Sequence, residues 1–359
     1  MPSTQSTTRE NGLDDPSGTV VASTPASTCR RTSIKCLQMA KAVAVRINGV
    51  LRDHQTDLST DSVFPIYSIT KTLTAICVLR LVEAGSLRLD VPIDHWLPEV
   101  ELPATVTLTH LLRHTSGLGD YGALPEYHKA VRLRPDRPWS RSEFLSAVLP
   151  KGMLFAAGES WAYSNIGYML VVDILERVTG RTFAQMLSQL LAEPLELQRT
   201  SVLETTEDLW ACVSGFGSEV TEDGSVVDIR GRYHPGWCAP RLVSSTPAEI
   251  TRTFDALISG RLLGPETLRR MLALVPLPGL REPPMVIDGG MGLFSNAASP
   301  YGRNYGHGGG GPGYDLIADI YPDTSAGRIA IAVFIDTSGG PRAADVEKAV
   351  VEHVLGPQR

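Results

Sequence analysis

Ser68 and Lys71 form a pair whose types and spacing could perform nucleophilic chemistry. On a helix, residues three apart lie on the same face, about one turn from each other. A lysine held in a dry site can accept the proton that a serine gives up, and helix N-terminal N–H groups stabilise the developing negative charge. A helix-capping serine followed by a surface lysine gives the same tetrad, so the pair alone leaves both interpretations open.

Tyr163-Ser164-Asn165 is a second candidate cluster. A tyrosine can carry a proton between a serine and a leaving group, and an asparagine amide can hold both Lys71 and a substrate carbonyl. The alternative is a loop in which Asn165 or Ser164 caps a helix that starts at Ile166.

A glycine-rich segment around His307-Gly308-Gly309-Gly310 is the third candidate. Glycines let a backbone approach a ligand closely, and a strand edge there could donate N–H groups to an oxyanion. The Gly-Lys-Ser/Thr ending of a phosphate-binding loop is absent from the segment, which argues against that function. A plain glycine-rich turn is the remaining alternative.

Other chemistries have weaker support. His110 and His114 stand four apart and could bind zinc, but no glutamate lies beside His110 as in a metalloprotease. The sequence has no Gly-x-Ser-x-Gly elbow, which argues against an α/β-hydrolase and leaves Ser116 and Ser160 without a strong claim as nucleophiles. We predict no metal and no cofactor.

The elements around these residues indicate an α+β fold. Ala42 to Ile47 predicts a strand, in a hairpin with Val50-Leu51, and apolar residues at helical spacing predict a helix from Ser68 to Gly85. Later strands are predicted at Asp315 to Ile320 and Ile329 to Ile335, with a turn at Pro322-Asp323-Thr324 between them. Further helices are predicted at Val106 to Arg113, Glu143 to Val148, Ile166 to Val178, Phe183 to Leu191 and Ala343 to Leu355.

This order of elements predicts an antiparallel sheet built from both termini and flanked by helices, with a mainly helical subdomain inserted. We expect a flexible tail over residues 1–37, an α/β subdomain from residues 38–85 and 240–359, and a helical subdomain over residues 86–239.

Composition restricts the partners and the compartment. The net charge of -6 argues against nucleic acid, which needs a basic surface, and no stretch is long and apolar enough to predict a membrane span. Five unpatterned cysteines fit reduced thiols, and residues 1–37 lack the apolar segment of a secretory signal. We therefore expect a cytoplasmic protein without nucleic-acid or membrane partners.

In their order, the three clusters resemble the three signatures of the serine β-lactamase and penicillin-binding protein superfamily. They are most similar to its class C β-lactamase, DD-peptidase and esterase branch, in which His-x-Gly often replaces Lys-Thr-Gly. The resemblance covers roughly residues 40–359. It extends to three flanking segments: Phe64-Pro65-Ile66-Tyr67, Leu108 to Leu118 and Pro194-Leu195-Glu196-Leu197.

The resemblance implies a β-lactamase/transpeptidase-like fold and a role for each candidate residue. Ser68 would be acylated, while Lys71 and Tyr163 would share the general base and acid duties, with the first proton acceptor left open. Asn165 would orient the lysine and the substrate, and His307 would replace the lysine of the third signature.

The glycine segment would complete the substrate site. The N–H groups of Ser68 and Gly310 would form the oxyanion hole, and Gly309 would belong to the same substrate-binding segment.

The superfamily hydrolyses β-lactams, trims peptidoglycan peptides, cleaves esters and transfers acyl groups. Because cell-wall substrates lie outside the membrane, we expect an intracellular esterase or transacylase that takes a small-molecule acyl donor and acceptor through acyl-Ser68. A β-lactamase or D-alanyl-D-alanine carboxypeptidase is one alternative. A non-catalytic acyl-binding sensor is another.

Overall fold

Strands from both ends of the described chain make up the main sheet. The structure, a computed structural model, describes residues 41–52, 56–282 and 285–356. The strands in these residues are β1 (Lys41–Ile47), β2 (Val50–Arg52), β3 (Phe64–Pro65), β4 (Ser201–Leu203), β5 (Phe216–Gly217), β6 (Val227–Asp228), β7 (Leu242–Ser245), β8 (Val275–Glu282), β9 (Met285–Gly289), β10 (Phe294–Asn296), β11 (Tyr305–Gly311), β12 (Tyr314–Thr324) and β13 (Gly327–Ile335). The main sheet has the order β2-β1-β13-β12-β11-β10-β9-β8, with antiparallel pairing throughout.

Most helices of the described residues lie between the early and the late strands, and the last one follows β13. The helices are α1 (Thr70–Glu83), α2 (Leu108–Leu112), α3 (Pro125–Leu133), α4 (Arg141–Val148), α5 (Asn165–Thr179), α6 (Phe183–Leu187), α7 (Pro247–Ile258), α8 (Pro265–Met271) and α9 (Ala343–Leu355). The predicted α+β architecture, with an antiparallel sheet built from both termini, is confirmed. The division into α/β and helical subdomains stays a prediction, and the proposed tail over residues 1–37 lies outside the described residues.

The two faces of the main sheet carry different layers. Side chains alternate along β12, so Leu316, Ala318 and Ile320 join the large core that contains α1, whereas Ile317 and Tyr321 join the cluster under α9. Helix α7 packs on the first face and α9 on the second. We call these the α1 face and the α9 face.

The β1–β2 hairpin is confirmed, but the predicted turn at residues 322–324 is wrong. Pro322, Asp323 and Thr324 continue β12, and the turn follows them at residues 325–326. The strand register shifts between Tyr321 and Thr324. Such a bulge tolerates a proline that cannot donate to the ladder, so a proline after a strand pattern did not mark its end.

The predicted helix from Ser68 to Gly85 is confirmed with a different first turn. Residues Tyr67–Ile69 form a 3₁₀ turn, and α1 begins at Thr70, whose hydroxyl accepts a hydrogen bond from the Val243 N–H at 3.3 Å. Gly85 has a φ of 72°, a left-handed conformation that ends helices at little steric cost. Ser68 therefore lies in the 3₁₀ turn, and Lys71 lies in the first turn of α1.

Within residues 41–52, 56–282 and 285–356, none of the helices combines the length and the apolar character that crossing a lipid bilayer demands.

Candidate active site

Ser68 lies between the two proposed proton carriers. Its Oγ is 3.1 Å from Lys71 Nζ and 2.9 Å from Tyr163 Oη. The serine side chain is partly exposed on the wall of a cavity, whereas Lys71 is only 3% exposed. The structure thus brings together residues that the sequence separates by 95 positions.

The fold holds Ser68 just before the first turn of α1 through the contacts of its neighbour Tyr67. Tyr67 has a φ of 42°, a left-handed conformation that is strained for a bulky residue, and its hydroxyl donates to the Pro312 carbonyl at 2.7 Å. A Cβ on Gly311 would come within 2.0 Å of the Tyr67 ring. Glycine at 311 therefore lets the Tyr67 ring lie against β11, where its hydrogen bond to Pro312 helps to fix the turn that carries the serine.

Two aromatic rings lie beside the amino group of Lys71. Its Nζ is 5.0 Å from the centre of the Tyr163 ring and 5.6 Å from that of Tyr168. A cation near the face of an aromatic ring is attracted by the ring's quadrupole. The rings confine the end of the lysine to the neighbourhood of Ser68 Oγ.

His114 positions Tyr163, a role that sequence reasoning missed. The two rings stack at 4.4 Å with 30° between their planes. The Ser164 N–H donates to His114 Nδ1 at 3.1 Å, and the Ala162 N–H donates to the His114 carbonyl at 2.9 Å. Because an N–H occupies Nδ1, the neutral ring carries its proton on Nε2. Burial, then Lys71 and His307, hold the pKa of His114 well below its ordinary value.

Asn165 is the first residue of α5, and the Ser164 side chain caps that helix by accepting from the Gly167 N–H. The Asn165 backbone N–H and side-chain Nδ2 both donate to the carboxyl of Asp120, at 3.0 and 3.1 Å. The amide oxygen is therefore the atom left to accept from Lys71 or a substrate. Burial raises the pKa of Asp120, while Asn165 and Lys71 oppose that shift. Sequence reasoning missed Asp120.

His307 lies behind Tyr163 as a neutral imidazole. Its Nδ1 donates to the Gly308 carbonyl at 2.6 Å, and its ring centre is 6.3 Å from that of Tyr163. Burial, helped by the nearby Lys71 charge, lowers the pKa of His307 to about 3. The resemblance gave this residue the place of a lysine, but a neutral ring supplies no positive charge there. Any help it gives a substrate comes from its dipole and its shape.

Gly309 and Gly310 occupy different environments on β11. Gly310 lines the cavity with Ser68, and a Cβ there would meet nothing within 4 Å. Gly309 is buried, and a Cβ would lie 2.5 Å from the Ile66 carbonyl oxygen. The structure therefore brings Gly310 to the candidate site, whereas Gly309 allows β11 to approach the turn that carries Ser68.

The cavity beside Ser68 has a volume of about 500 Å³. Five tyrosines line it, and each hydroxyl is already engaged: they contact Pro312 O, Ala239 N, Trp237 O, Cys238 Sγ and Val213 O. Such tyrosines therefore present ring carbon atoms, rather than free hydroxyls, to a ligand. The tyrosines are Tyr67, Tyr121, Tyr127, Tyr233 and Tyr314.

The histidines weighed as zinc ligands serve other purposes. His110 Nδ1 accepts from the Thr107 N–H at 3.1 Å and so helps to cap α2, while His114 accepts from Ser164 as described above. Among the side chains that the structure describes, no three His, Cys, Asp or Glu residues cluster as metal ligands would.

Comparison with known proteins identifies the family. The profile of the Beta-lactamase family matches residues 39–355. The chain belongs to this family. The resemblance stated from the three clusters is confirmed, as is the prediction of an enzyme of the β-lactamase-like superfamily.

Curated relatives in the family carry several activities. The chain is similar to Penicillin-binding protein 4* of Bacillus subtilis, with 27% identity over 74% of this chain and 59% of that protein. It is similar to Esterase EstB of Burkholderia gladioli, with 34% identity over 41% of this chain and 40% of the esterase. The matched part of this chain thus spans less than two thirds of either relative.

A solved structure supports the same fold. A D-stereospecific amidohydrolase from a Streptomyces species superposes with a TM-score of 0.74 and 25% identity, covering 87% of this chain and 93% of that one. The β-lactamase/transpeptidase-like fold expected from the resemblance is therefore confirmed.

Proposed function

We propose that this chain is a serine esterase or transacylase that forms an acyl-Ser68 intermediate from an ester, thioester or amide donor. The observation that carries the proposal is the position of Ser68 Oγ, 3.1 Å from Lys71 Nζ and 2.9 Å from Tyr163 Oη. An alcohol becomes an effective nucleophile when a base within hydrogen-bond reach removes its proton.

In the acylation step, Ser68 Oγ bonds to the carbonyl carbon while its proton passes to the member of the network that is deprotonated, either Lys71 as the neutral amine or Tyr163 as the phenolate. The carbonyl oxygen becomes an oxyanion, for which the N–H groups of Ser68 and Gly310 are the proposed donors. The bond to the leaving group then breaks, and the leaving group takes the proton from the same network. Water or an acceptor alcohol or amine resolves acyl-Ser68 by the reverse sequence.

The tyrosine rings of the cavity favour an apolar acyl group, while Arg132, Glu219 and Arg241 add charged groups elsewhere on its wall. Its ring walls can bury hydrocarbon but offer few free hydrogen-bonding groups, because their hydroxyls are engaged. We expect kcat/KM for p-nitrophenyl esters to rise about fourfold for each CH₂ group added to the acyl chain, until the cavity is full. A flat or falling series would contradict an apolar acyl site.

Steady release of p-nitrophenol from p-nitrophenyl acetate is the direct test of the enzyme. Turnover that disappears in Ser68→Ala, together with an acetyl mass increment on Ser68 in the parent chain, would support the proposal. Full activity in Ser68→Ala would overturn the assignment of the nucleophile. A single burst without turnover would indicate the acyl-binding sensor instead, and acceptor alcohols that divert the acetyl group from water would indicate a transacylase.

Hydrolysis of an amide in preference to an ester is the second candidate function. It is favoured by the likeness to a D-stereospecific amidohydrolase over 87% of the chain. D-amino-acid amides, a D-alanyl-D-alanine peptide and a chromogenic β-lactam, assayed beside the ester, separate amidase, carboxypeptidase and β-lactamase activity. The preferred class is the one with the highest kcat/KM that Ser68→Ala also abolishes.

A cytoplasmic location is part of the proposal. The described cysteines, Cys77, Cys212 and Cys238, are free thiols, and the first two are buried. Free thiols persist in reducing compartments. Fractionation of cells that express the native gene tests the location, and recovery outside the cytoplasm would contradict it.

A further inference from the structure

A second cavity, remote from Ser68, gathers three guanidinium groups. It has a volume of about 330 Å³ and lies where β1, α7 and the segment before β4 meet. Arg46 comes from β1, Arg252 from α7, and Arg261 from the residues that follow α7. Of the described residues that line it, Glu196 is the one acidic side chain. We call this cavity the arginine pocket.

Arg46 is buried there, and among the side chains that the structure describes no carboxylate forms an ion pair with it. It is 7% exposed, and its Nη1 and Nη2 donate to the backbone carbonyls of Gly49 and Ala248 at 2.9 and 3.2 Å. Its Nε is buried and has no hydrogen-bond partner among the described residues. Neutral carbonyls do not compensate its charge. Burial and then the Arg252 charge lower the pKa of Arg46, while Asp255 opposes that shift, so on balance the surroundings disfavour the ionised form.

The surrounding charges leave a positive excess. Arg252 Nη1 donates to the Leu195 and Glu196 carbonyls, at 3.2 and 3.3 Å. The buried carboxylate of Asp255 is shared, since Arg261 and Arg328 each donate to it at 2.8 Å. The Asp255 carboxylate is thus shared by the guanidiniums of Arg261 and Arg328. Two further guanidiniums, those of Arg46 and Arg252, lie in the same pocket. Guanidinium clusters of this kind match the oxygens of phosphate and hold them by charge-assisted hydrogen bonds.

We propose that the arginine pocket binds a phosphate or diphosphate group, at a site separate from the one around Ser68. β1 and β11 are three strand spacings apart in the sheet, or about 14 Å, so the two sites do not share a ligand atom. An oxyanion there offsets the repulsion among Arg46, Arg252 and Arg261. A volume of about 330 Å³ leaves room for a small polyanion, such as inorganic diphosphate or the phosphate end of a metabolite.

Calorimetry and thermal melting of the full chain with sodium phosphate and sodium diphosphate test this inference, with ionic strength held constant by sodium chloride. We expect saturable one-to-one binding and a rise in Tm, with diphosphate binding more tightly than phosphate. Arg252→Gln should weaken diphosphate binding by about tenfold or more, because it removes one charge-assisted contact. Arg269→Gln is the matched control, since Arg269 is exposed on α8 beside Glu266.

Ser68-dependent ester turnover should be unchanged in both variants, because the pocket lies outside the proposed catalytic machinery. If Arg252→Gln does not fold, Arg261→Gln carries the same comparison. Absence of saturable binding, or equal loss in the Arg269→Gln control, would overturn the proposal. Binding of succinate without binding of either phosphate would overturn the choice of phosphate.

Discussion

Next to Ser68, on the α1 face of the main sheet, two buried imidazoles lie beside a lysine, whereas on the α9 face buried carboxyls lie beside a tyrosine. His307 pairs with Ala318 and shares its face, while the next pair of the same strands, Gly306 and Asp319, places Asp319 under α9. Glu347 of α9 accepts from the Tyr321 hydroxyl at 2.8 Å. One sheet thus buries two ionisable clusters back to back.

Burial shifts the pKa values of the histidines on the α1 face and of the carboxyls on the α9 face in opposite directions. It lowers the pKa of His307 to about 3, and it raises the pKa of Asp319 to about 6 and that of Glu347 to about 8. The α1 face therefore resists acid protonation, and the α9 face resists deprotonation. Buried polar groups therefore have two roles here. Those on the α1 face lie close to the cavity of Ser68, whereas those on the α9 face connect the helix to the sheet.

The largest expected effect is a loss of ester turnover when a residue on the α1 face is changed, but not when one on the α9 face is changed. Lys71→Ala should lower ester turnover by about 10³-fold or more, because it removes a member of the proton network, while leaving Tm nearly unchanged. Glu347→Gln, on the α9 face, is the control and should keep turnover at neutral pH. Loss of the fold in Lys71→Ala would make the lysine structural, and loss of turnover in Glu347→Gln would break the separation of the faces.

Tyr163→Phe should lower turnover by about 10²-fold, since it removes the hydroxyl that contacts Ser68 Oγ but keeps the ring that stacks on His114. The measurement is kcat against pH, with circular dichroism to show that the fold is intact. Unchanged kcat would assign the proton transfer to Lys71 alone.

Gly309→Ala tests how closely β11 approaches Ser68 on the α1 face. Its Cβ would lie 2.5 Å from the Ile66 carbonyl oxygen, so we expect a loss of about 1–3 kcal/mol in the free energy of unfolding. Gly310→Ala, whose Cβ meets nothing within 4 Å, is the matched control and should leave stability nearly unchanged. Urea denaturation measures both, and equal losses would contradict the close approach.

The smallest effects are the pH slopes of stability, which should have opposite signs on the two faces. The contribution of Glu347 is complete below pH 4.5 and is lost as the pH rises toward 8, because the folded state holds the proton more tightly. The contribution of His307 is complete above pH 6.5 and is lost as the pH falls toward 3. Each slope is at most about 1.4 kcal/mol per pH unit.

Denaturation of the parent chain, Glu347→Gln and His307→Asn at several pH values resolves the two slopes. Glu347→Gln should flatten the alkaline side, and His307→Asn should flatten the acid side. Flattening on the same side by both variants would show that the faces are not independent.

Much of the fold followed from local patterns. The terminal helix Ala343–Leu355 has the predicted bounds, and the helix that carries Lys71 was found because its apolar spacing is local. Helix α7 was missed, although Thr246 accepts from the Glu249 N–H as an N-cap and Pro247 stands at the first helical position. That signal was present in the sequence.

The candidate site was predictable for residues whose types carry chemistry, and less so for residues that act on them. Ser68, Lys71 and Tyr163 meet as expected. Asp120 and His114 reach α5 and its cap across 45 and 50 residues, where no local pattern marks a contact. The neutral state of His307 depends on burial by distant elements, so the resemblance that gave it the place of a lysine could not show that it lacks a lysine's charge.

The hydrogen bond from Tyr67 to Pro312 joins residues 245 apart along the chain. In kinetic terms, the turn that presents Ser68 cannot be held against β11 until the late strands have been made and have docked. Closing so long a loop costs chain entropy, which slows the formation of this contact. Helices such as α1 form from local contacts and need no such closure. During refolding, helical signal should therefore recover before ester turnover does.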